Sequence, residues 1–551
     1  MKRLLIGIAL LAGTGARARG DESDGREACS WQQWGQSATH DGQTCVRAQT
    51  PARELAHIVY DPFQNQEIAE GGGELFVHYQ VPLTDNDGNF FMMHKAGTFT
   101  SCDPPGSGEP APCGLDPANV AKEVWTEKRY QFRRDGTVAE KWTFASDWKP
   151  YPVPTWEPMF QPALSGPFIY VPGAGGSVWQ VLKTLGLPVR RINPFRTVDP
   201  NTFVTGGVTV DRAGFLYWNV IRLDPMTGSG SGFIVKAAPW SGTTRVADYQ
   251  TLIPGAPAAS DMCFGAFFLE DPLPPHPWPP SADAVPPQIG CGAQRPGVNV
   301  TPAIGADGTI FTASTAHTDP FFSYIVALHP DLSLSWATSM QDLVHDGCGV
   351  HRENSPEGDV PCSATFSAIG VDPNTNRAPA LVIADISSSS PTALPDGGVL
   401  YGALDPYNFQ RGHLVKLDRH GGFTGAYSFG WDSTPAIYRH DGTYSIVIKD
   451  NHYLSDGPFF MTQLSKDLEV EWQFVNPESR EWCANAPAID RDGNVIVDAE
   501  DGFVYVIGQG GIERSRTFLN QALGAAYTPA AIDSRGRIYA LNNGELSVRG
   551  R

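Results

Sequence analysis

The segment Thr301-Pro-Ala-Ile-Gly-Ala-Asp-Gly-Thr-Ile310 reads as strand, tight turn and strand, and the phrase returns three times. Its copies are Thr434-Pro-Ala-Ile-Tyr-Arg-His-Asp-Gly-Thr443, Ala486-Pro-Ala-Ile-Asp-Arg-Asp-Gly-Asn-Val495 and Thr528-Pro-Ala-Ala-Ile-Asp-Ser-Arg-Gly-Arg-Ile538. Asp-Gly accepts the positive φ angles that a two-residue hairpin demands. A proline at the head of the first strand suits a position whose amide the ladder does not need. Weaker copies begin at Val81, Gln161, Gly207 and Ser367. The eight anchors therefore stand near residues 81, 161, 207, 302, 367, 435, 487 and 529.

A second half-repeat follows several anchors: an apolar strand, a polar turn, and a strand that often ends on Trp. Tyr324–Trp336, Met461–Trp472 and Tyr130–Trp142 show it with the Trp, and Leu414–Phe423 without. Four short strands per unit make a propeller blade, and a minimal blade takes about 40–45 residues. The expectation is an all-β chain, a β-propeller of eight blades with four antiparallel strands each. Seven blades is the alternative, in which residues 74–148 would be an appendage. Longer intervals between anchors are read as insertions, the largest at about 250–298 with the Pro-rich stretch Pro272–Pro280. The last anchor leaves room for only about three strands, and Glu54–Tyr60 is the segment expected to supply the fourth.

Taken together, "Pro-Ala-Ile-x-x-Asp-Gly" followed by "Val-x-Ala-Leu…Trp" resembles the quinoprotein-type (PQQ-like) propeller repeat. The resemblance is clear from about residue 299 onward, and Trp31-Gln-Gln-Trp-Gly-Gln36 is similar to the opening phrase of such propellers. It implies the fold of quinone-dependent alcohol dehydrogenases and of non-catalytic assembly-factor propellers. Fold alone carries no activity. The dehydrogenases of this family use adjacent disulfide-bonded cysteines, and no two adjacent residues here are both Cys. A C-x-x-C-H haem motif is missing as well. PQQ and calcium are thus cofactors the resemblance brings to mind and no residue motif supports.

Met1-Lys2-Arg3, the apolar run Leu4–Ala12 and Ala16-Arg17-Ala18 follow the pattern of a secretory signal over residues 1–18. Residues 19–73 are expected to form an N-terminal segment, and 74–551 the propeller. No later stretch has the length and apolarity of a membrane span. Loss of Lys2, Arg3 and Arg17 moves the net charge from −19 to −22. Such a surface repels phosphate backbones, so nucleic acid is not an expected partner. The location implied is secreted or periplasmic, and the expected state a monomer.

Eight of the nine cysteines fall into neighbouring pairs: Cys29 with Cys45, Cys102 with Cys113, Cys263 with Cys291, and Cys348 with Cys362. An oxidising compartment would close them and leave Cys483 free. No C-x-x-C spacing suggests zinc, and no metal is assigned from the sequence. Asp85–Asn89, Asp490–Asn494 and Asp372–Asn376 look like starts of calcium loops, but none is complete and two coincide with the repeat's hairpin.

The stretch His345-Asp-Gly-Cys-Gly-Val-His-Arg-Glu353 is the candidate site loop, with His345, Asp346, His351 and Glu353 as its chemically able residues. Imidazoles beside carboxylates suit a metal or a general acid–base pair. The plainer and preferred reading is a solvated loop stapled by a disulfide. His317, His413 and His452 are further candidates for the same face. The function expected is binding or scaffolding toward an extracellular polymer or an envelope protein. The alternatives are a quinone-dependent oxidoreductase acting on an alcohol or sugar, and another propeller enzyme such as a polysaccharide lyase.

Overall fold

The structure is a computed structural model that describes residues 29–70, 73, 80–100, 117–152, 158–263, 289–344, 346–350, 369–370, 379–405, 411–451, 457–482, 485–521, 523 and 529–551. Its strands form eight four-stranded antiparallel sheets, the blades of a propeller. Their innermost strands are Leu83–Thr84, Ala163–Ser165, Thr202–Val210, Ala303–Ile304, Thr392–Ala393, Ala436–His440, Ala488–Ile489 and Ala531–Ile532. Within each of the first seven sheets the order along the chain is the order across the sheet. The eighth takes its outermost strand from Arg53–Val59, paired antiparallel with Glu545–Gly550. In the fourth, Gln294–Pro296 adds a strand beside Ile310–Ala316. Among the described residues no helix is long and apolar enough to cross a membrane.

The turns explain why the repeat folds this way. Asp490 Oδ1 accepts the amides of Asp492 and Asn494, each at 2.9 Å. Asp533 Oδ1 does the same for Arg535 and Arg537 at 2.9 Å, and Asp85 Oδ1 for Asp87 and Asn89 at 3.0 Å. The carboxylate thus replaces water for two turn amides that face no partner strand. At Asp85–Asn89 and Asp490–Asn494 this is hairpin chemistry. Asp372–Asn376 lies outside the described residues.

One blade begins at a different place from its expected anchor, and one inner strand is shifted by a residue within its phrase. The inner strand of the fifth blade is Thr392–Ala393, inside Ser390-Pro-Thr-Ala-Leu-Pro-Asp-Gly397, and the anchor expected at Ser367 lies outside the described residues. Gly397 there has φ +88° and Asp396 Oδ1 accepts the Gly398 amide at 3.0 Å. The turn marks the blade better than the Ala-Ile-Gly run does. In the last copy the strand is Ala531–Ile532, so Pro529 stands one residue farther from it than in the other copies.

Two of the recurrent Trp residues fasten neighbouring blades to each other. Trp142 Nε1 donates to the Lys183 carbonyl of the next blade, and Trp336 Nε1 to that of Arg419, both at 3.0 Å. The indole of Trp336 lies over Gly421, at φ +81°, where an added Cβ would come within 2.7 Å of the ring. Gly186 meets Trp142 in the same way. Glycine is required at these turns by both φ and space.

The axis is filled by the chain itself. The residues from Trp31 to Gln49 hydrogen-bond the inner region of all eight blades in sequence order. The amides of Thr84, Leu164, Ile304, Ala393, Ile437 and Ile489 donate in turn to the carbonyls of Trp31, Gln32, Ala38, Thr39, Asp41 and Gly42, at 2.6 to 2.9 Å. Val210 N donates to Gln33 Oε1 at 2.7 Å, and Gln49 N to the Gly536 carbonyl at 2.7 Å. The Cys29–Cys45 disulfide closes this segment into a loop. His40, fully buried and bonded to the Pro391 carbonyl at 2.7 Å, has its pKa pushed down to about 4 by burial and stays neutral.

A second disulfide joins Cys263 to Cys291 across the excursion, where Met262–Cys263 pairs with Ile289–Gly290. Cys348 is disulfide-bonded. Cys102, Cys113, Cys362 and Cys483 lie outside the described residues, as do residues 1–28 and 264–288.

Candidate functional site

Each blade begins with a hairpin between its first two strands. Antiparallel pairing then puts the second-to-third-strand link, and the segment arriving from the preceding blade, at the opposite end. That face of the ring gathers the buried polar side chains of blades four to seven.

In the fifth blade the second strand, Val399–Ala403, pairs with His413–Leu417, and Ala403 faces His413. His413 therefore opens its strand two residues across from Asp405. Asp346 arrives from the segment that follows the fourth blade. His413 Nε2 lies 2.5 Å from Asp346 Oδ2 and 3.3 Å from Asp405 Oδ2, and all three side chains are no more than 4% exposed. The structure thus brings Asp346 of the candidate loop together with His413. His345, His351, Glu353 and His452 lie outside the described residues.

Closer to the axis, Arg295 grips Asp385 with both guanidinium nitrogens, at 2.7 and 2.6 Å. Its Nε donates to His317 Nδ1 at 2.9 Å, while His317 Nε2 donates to the Gly228 carbonyl at 2.8 Å. Burial, and then the neighbouring guanidinium, hold the His317 pKa below its ordinary value. Next to this pair, Asp432 is a hub between three interblade segments. Its Oδ1 accepts the Ser388 amide and hydroxyl at 2.6 and 2.8 Å and Asn485 Nδ2 at 3.2 Å. Its Oδ2 faces Lys449 Nζ at 3.4 Å. Tyr401 is held far above the ordinary phenol range by burial and by the charges of Asp385 and Asp432.

Sequence reading missed Asp405, Arg295, Asp385, Asp432 and Lys449. One signal was present. Counting from the residue of the second strand that faces the end of the first, the third residue on is Met93, Val171, Ala313, Gly402 or Leu541 in five blades. By the same count the sixth blade gives Ile446, the third Asn219 and the seventh Asp498. Asp498 is the one charge at this position among the eight blades, and it marks the polar face.

Asp498 gives a test of this electrostatic picture. It is buried, neither carboxylate oxygen has a side-chain hydrogen-bond partner, and burial followed by the charge of Asp501 raises its pKa well above the usual range. The unfolded chain ionises this group above about pH 4, so the native state loses stability relative to it as pH rises beyond that point. Asp498→Asn removes the ionisable group. The variant is expected to be more stable than wild type at about pH 7.5, with the difference shrinking toward about pH 4.5. Denaturant unfolding at both values checks this, and an equal difference at both would defeat it.

No family model and no curated protein matches the sequence. Solved structures do. A europium-containing methanol dehydrogenase superimposes with a TM-score of 0.52 at 9% identity, covering 94% of this chain and 90% of its own. The quinohemoprotein alcohol dehydrogenase ADHIIG from Pseudomonas putida HK5 gives 0.49 at 9% identity, covering 95% and 77%. BamB from Moraxella catarrhalis gives 0.34 at 13% identity, covering 71% and 96%. The fold is an eight-bladed propeller, similar to that of the methanol dehydrogenase. At these identities the likeness concerns the fold alone.

Proposed function

We propose that this protein is an exported binding or scaffolding propeller that engages an extracellular polymer or an envelope protein through its interblade loops. The observation that carries the reading is the self-sufficiency of the axial polar groups. An anionic quinone cofactor needs cations aimed at it, whereas Arg295 faces Asp385, Lys449 faces Asp432, and Ser388 and Asn485 converge on the same Asp432. These residues satisfy each other across blades, as buried polar networks must. They do not fit such a cofactor, and no step is derived through one. Export is supported by the disulfides Cys29–Cys45 and Cys263–Cys291, which an oxidising compartment permits.

The test is a pair of assays on the purified protein. Incubated with PQQ and calcium and offered alcohols and sugars, it is expected to reduce no redox dye. On a polysaccharide array, or after cross-linking to envelope proteins, it is expected to show saturable binding. Dye reduction dependent on an alcohol or sugar would replace this reading with the oxidoreductase one.

A further inference from the structure

We propose that Asp346, Asp405 and His413 bind a first-row divalent cation of the zinc class. The site is independent of the binding role proposed above and stands on three observations. First, the donor set has the right chemistry. One imidazole nitrogen with two carboxylate oxygens is a mixed nitrogen–oxygen set that suits zinc or manganese over calcium or magnesium. Two carboxylates and a neutral imidazole also carry two negative charges, the number a divalent cation cancels.

Second, the donor atoms converge. One ligand atom from each residue lies within 4.8 Å of the others. A tetrahedral cation with bonds of about 2.0–2.1 Å needs donors about 3.3 Å apart. His413 Nε2 and Asp405 Oδ2 are at 3.3 Å, so this edge is already in place. Asp346 Oδ2, at 2.5 Å from the same nitrogen, would move back by less than 1 Å (roughly 0.8 Å for that bond length).

Third, the ligands are held by the fold. Asp405 and His413 flank one strand-to-strand link whose register is fixed by the Ala403–His413 pair. Asp346 precedes the disulfide-bonded Cys348, whose carbonyl accepts the Gly370 amide at 2.8 Å. A cation here would join the segment leaving the fourth blade to the fifth. Without one, His413 Nε2 lies between Asp346 Oδ2 and Asp405 Oδ2.

The experiment uses the full chain, stripped with EDTA and titrated with Zn2+. One Zn2+ per chain is expected. X-ray absorption at the zinc edge should show a shell of nitrogen and oxygen with no sulfur, which separates this site from a cysteine thiolate. Losing an outer-shell partner weakens metal binding about 10–100-fold, so Asp405→Asn or His413→Gln is expected to weaken Zn2+ by more than about 100-fold. The absorption spectrum reads the wild type alone and decides the matter if neither variant folds. Failure of the wild type to take up Zn2+, sulfur in the shell, or unchanged affinity in a folded variant would each overturn the site. None of these outcomes bears on polymer or envelope binding.

Discussion

Lys95→Met is expected to cost about 3–5 kcal/mol of stability, the loss seen when one partner of a buried ion pair is removed. The Lys95 side chain is 1% exposed and its Nζ faces three carboxylates. Asp61 Oδ2 is at 3.4 Å, Glu123 Oε2 at 3.6 Å, and Glu67 forms a short bond. Methionine keeps the volume of the stem and removes the charge, leaving three acidic groups in a buried site. The position magnifies the effect because Lys95 stands at the seam of the ring. Its amide donates to the Tyr60 carbonyl at 2.9 Å, and Tyr60 and Asp61 both donate their amides to Gly544 of the last blade. Guanidinium unfolding of the variant is the measurement. A loss below about 1 kcal/mol, the range of exposed pairs such as Lys466 with Asp467, would mean that these charges are solvated in solution.

Trp31→Ala carries a comparable expectation, about 3–5 kcal/mol, the range for deleting a buried aromatic side chain. Trp31 is fully buried in the cluster that also takes side chains from the first, second, third, seventh and eighth blades. Its amide donates to Thr84 Oγ1 at 2.9 Å, and its carbonyl accepts the Thr84 amide at 2.7 Å. The backbone bonds survive the substitution, so the loss reports packing of the indole. Trp240, at 75% exposed, is the control, and its replacement by alanine is expected to stay within about 0.5 kcal/mol. Equal effects at the two positions would show that the axial segment does not belong to the cooperative unit.

The ring was legible because its turns are local. Asp-Gly chemistry and a proline before a short strand lie within ten residues, and the physics that needs them acts over the same span. The fifth blade was misplaced where that local signal weakened: Leu394-Pro395 replaces the usual run between the Thr392–Ala393 strand and its turn. The polar face was less legible, for a different reason. Asp346 was singled out for its neighbours in the chain, yet the partner the structure gives it is His413, 67 residues away. Arg295 and Asp385 are separated by 90 residues. Contacts of this kind are set by the angle between blades, which no local spacing encodes. What the sequence did hold was one exception to the repeat: Asp498 puts a charge in a column that the other blades fill with uncharged residues.

The thread from Trp31 to Gln49 has a consequence for how the molecule is made. A solenoid can add one repeat at a time, each resting on the one before. Here Gln49 finds its partner at Gly536 and Arg53–Val59 pairs with Glu545–Gly550, so early residues wait for much later ones. Those contacts span nearly the whole chain, and pairing at such separation is slow because loop closure must come before any gain from it. The ring therefore cannot close until Gly536 and Glu545–Gly550 have been made. Truncation near the C-terminus would remove far more than one strand: it would leave the thread without its anchor and the ring without its seam.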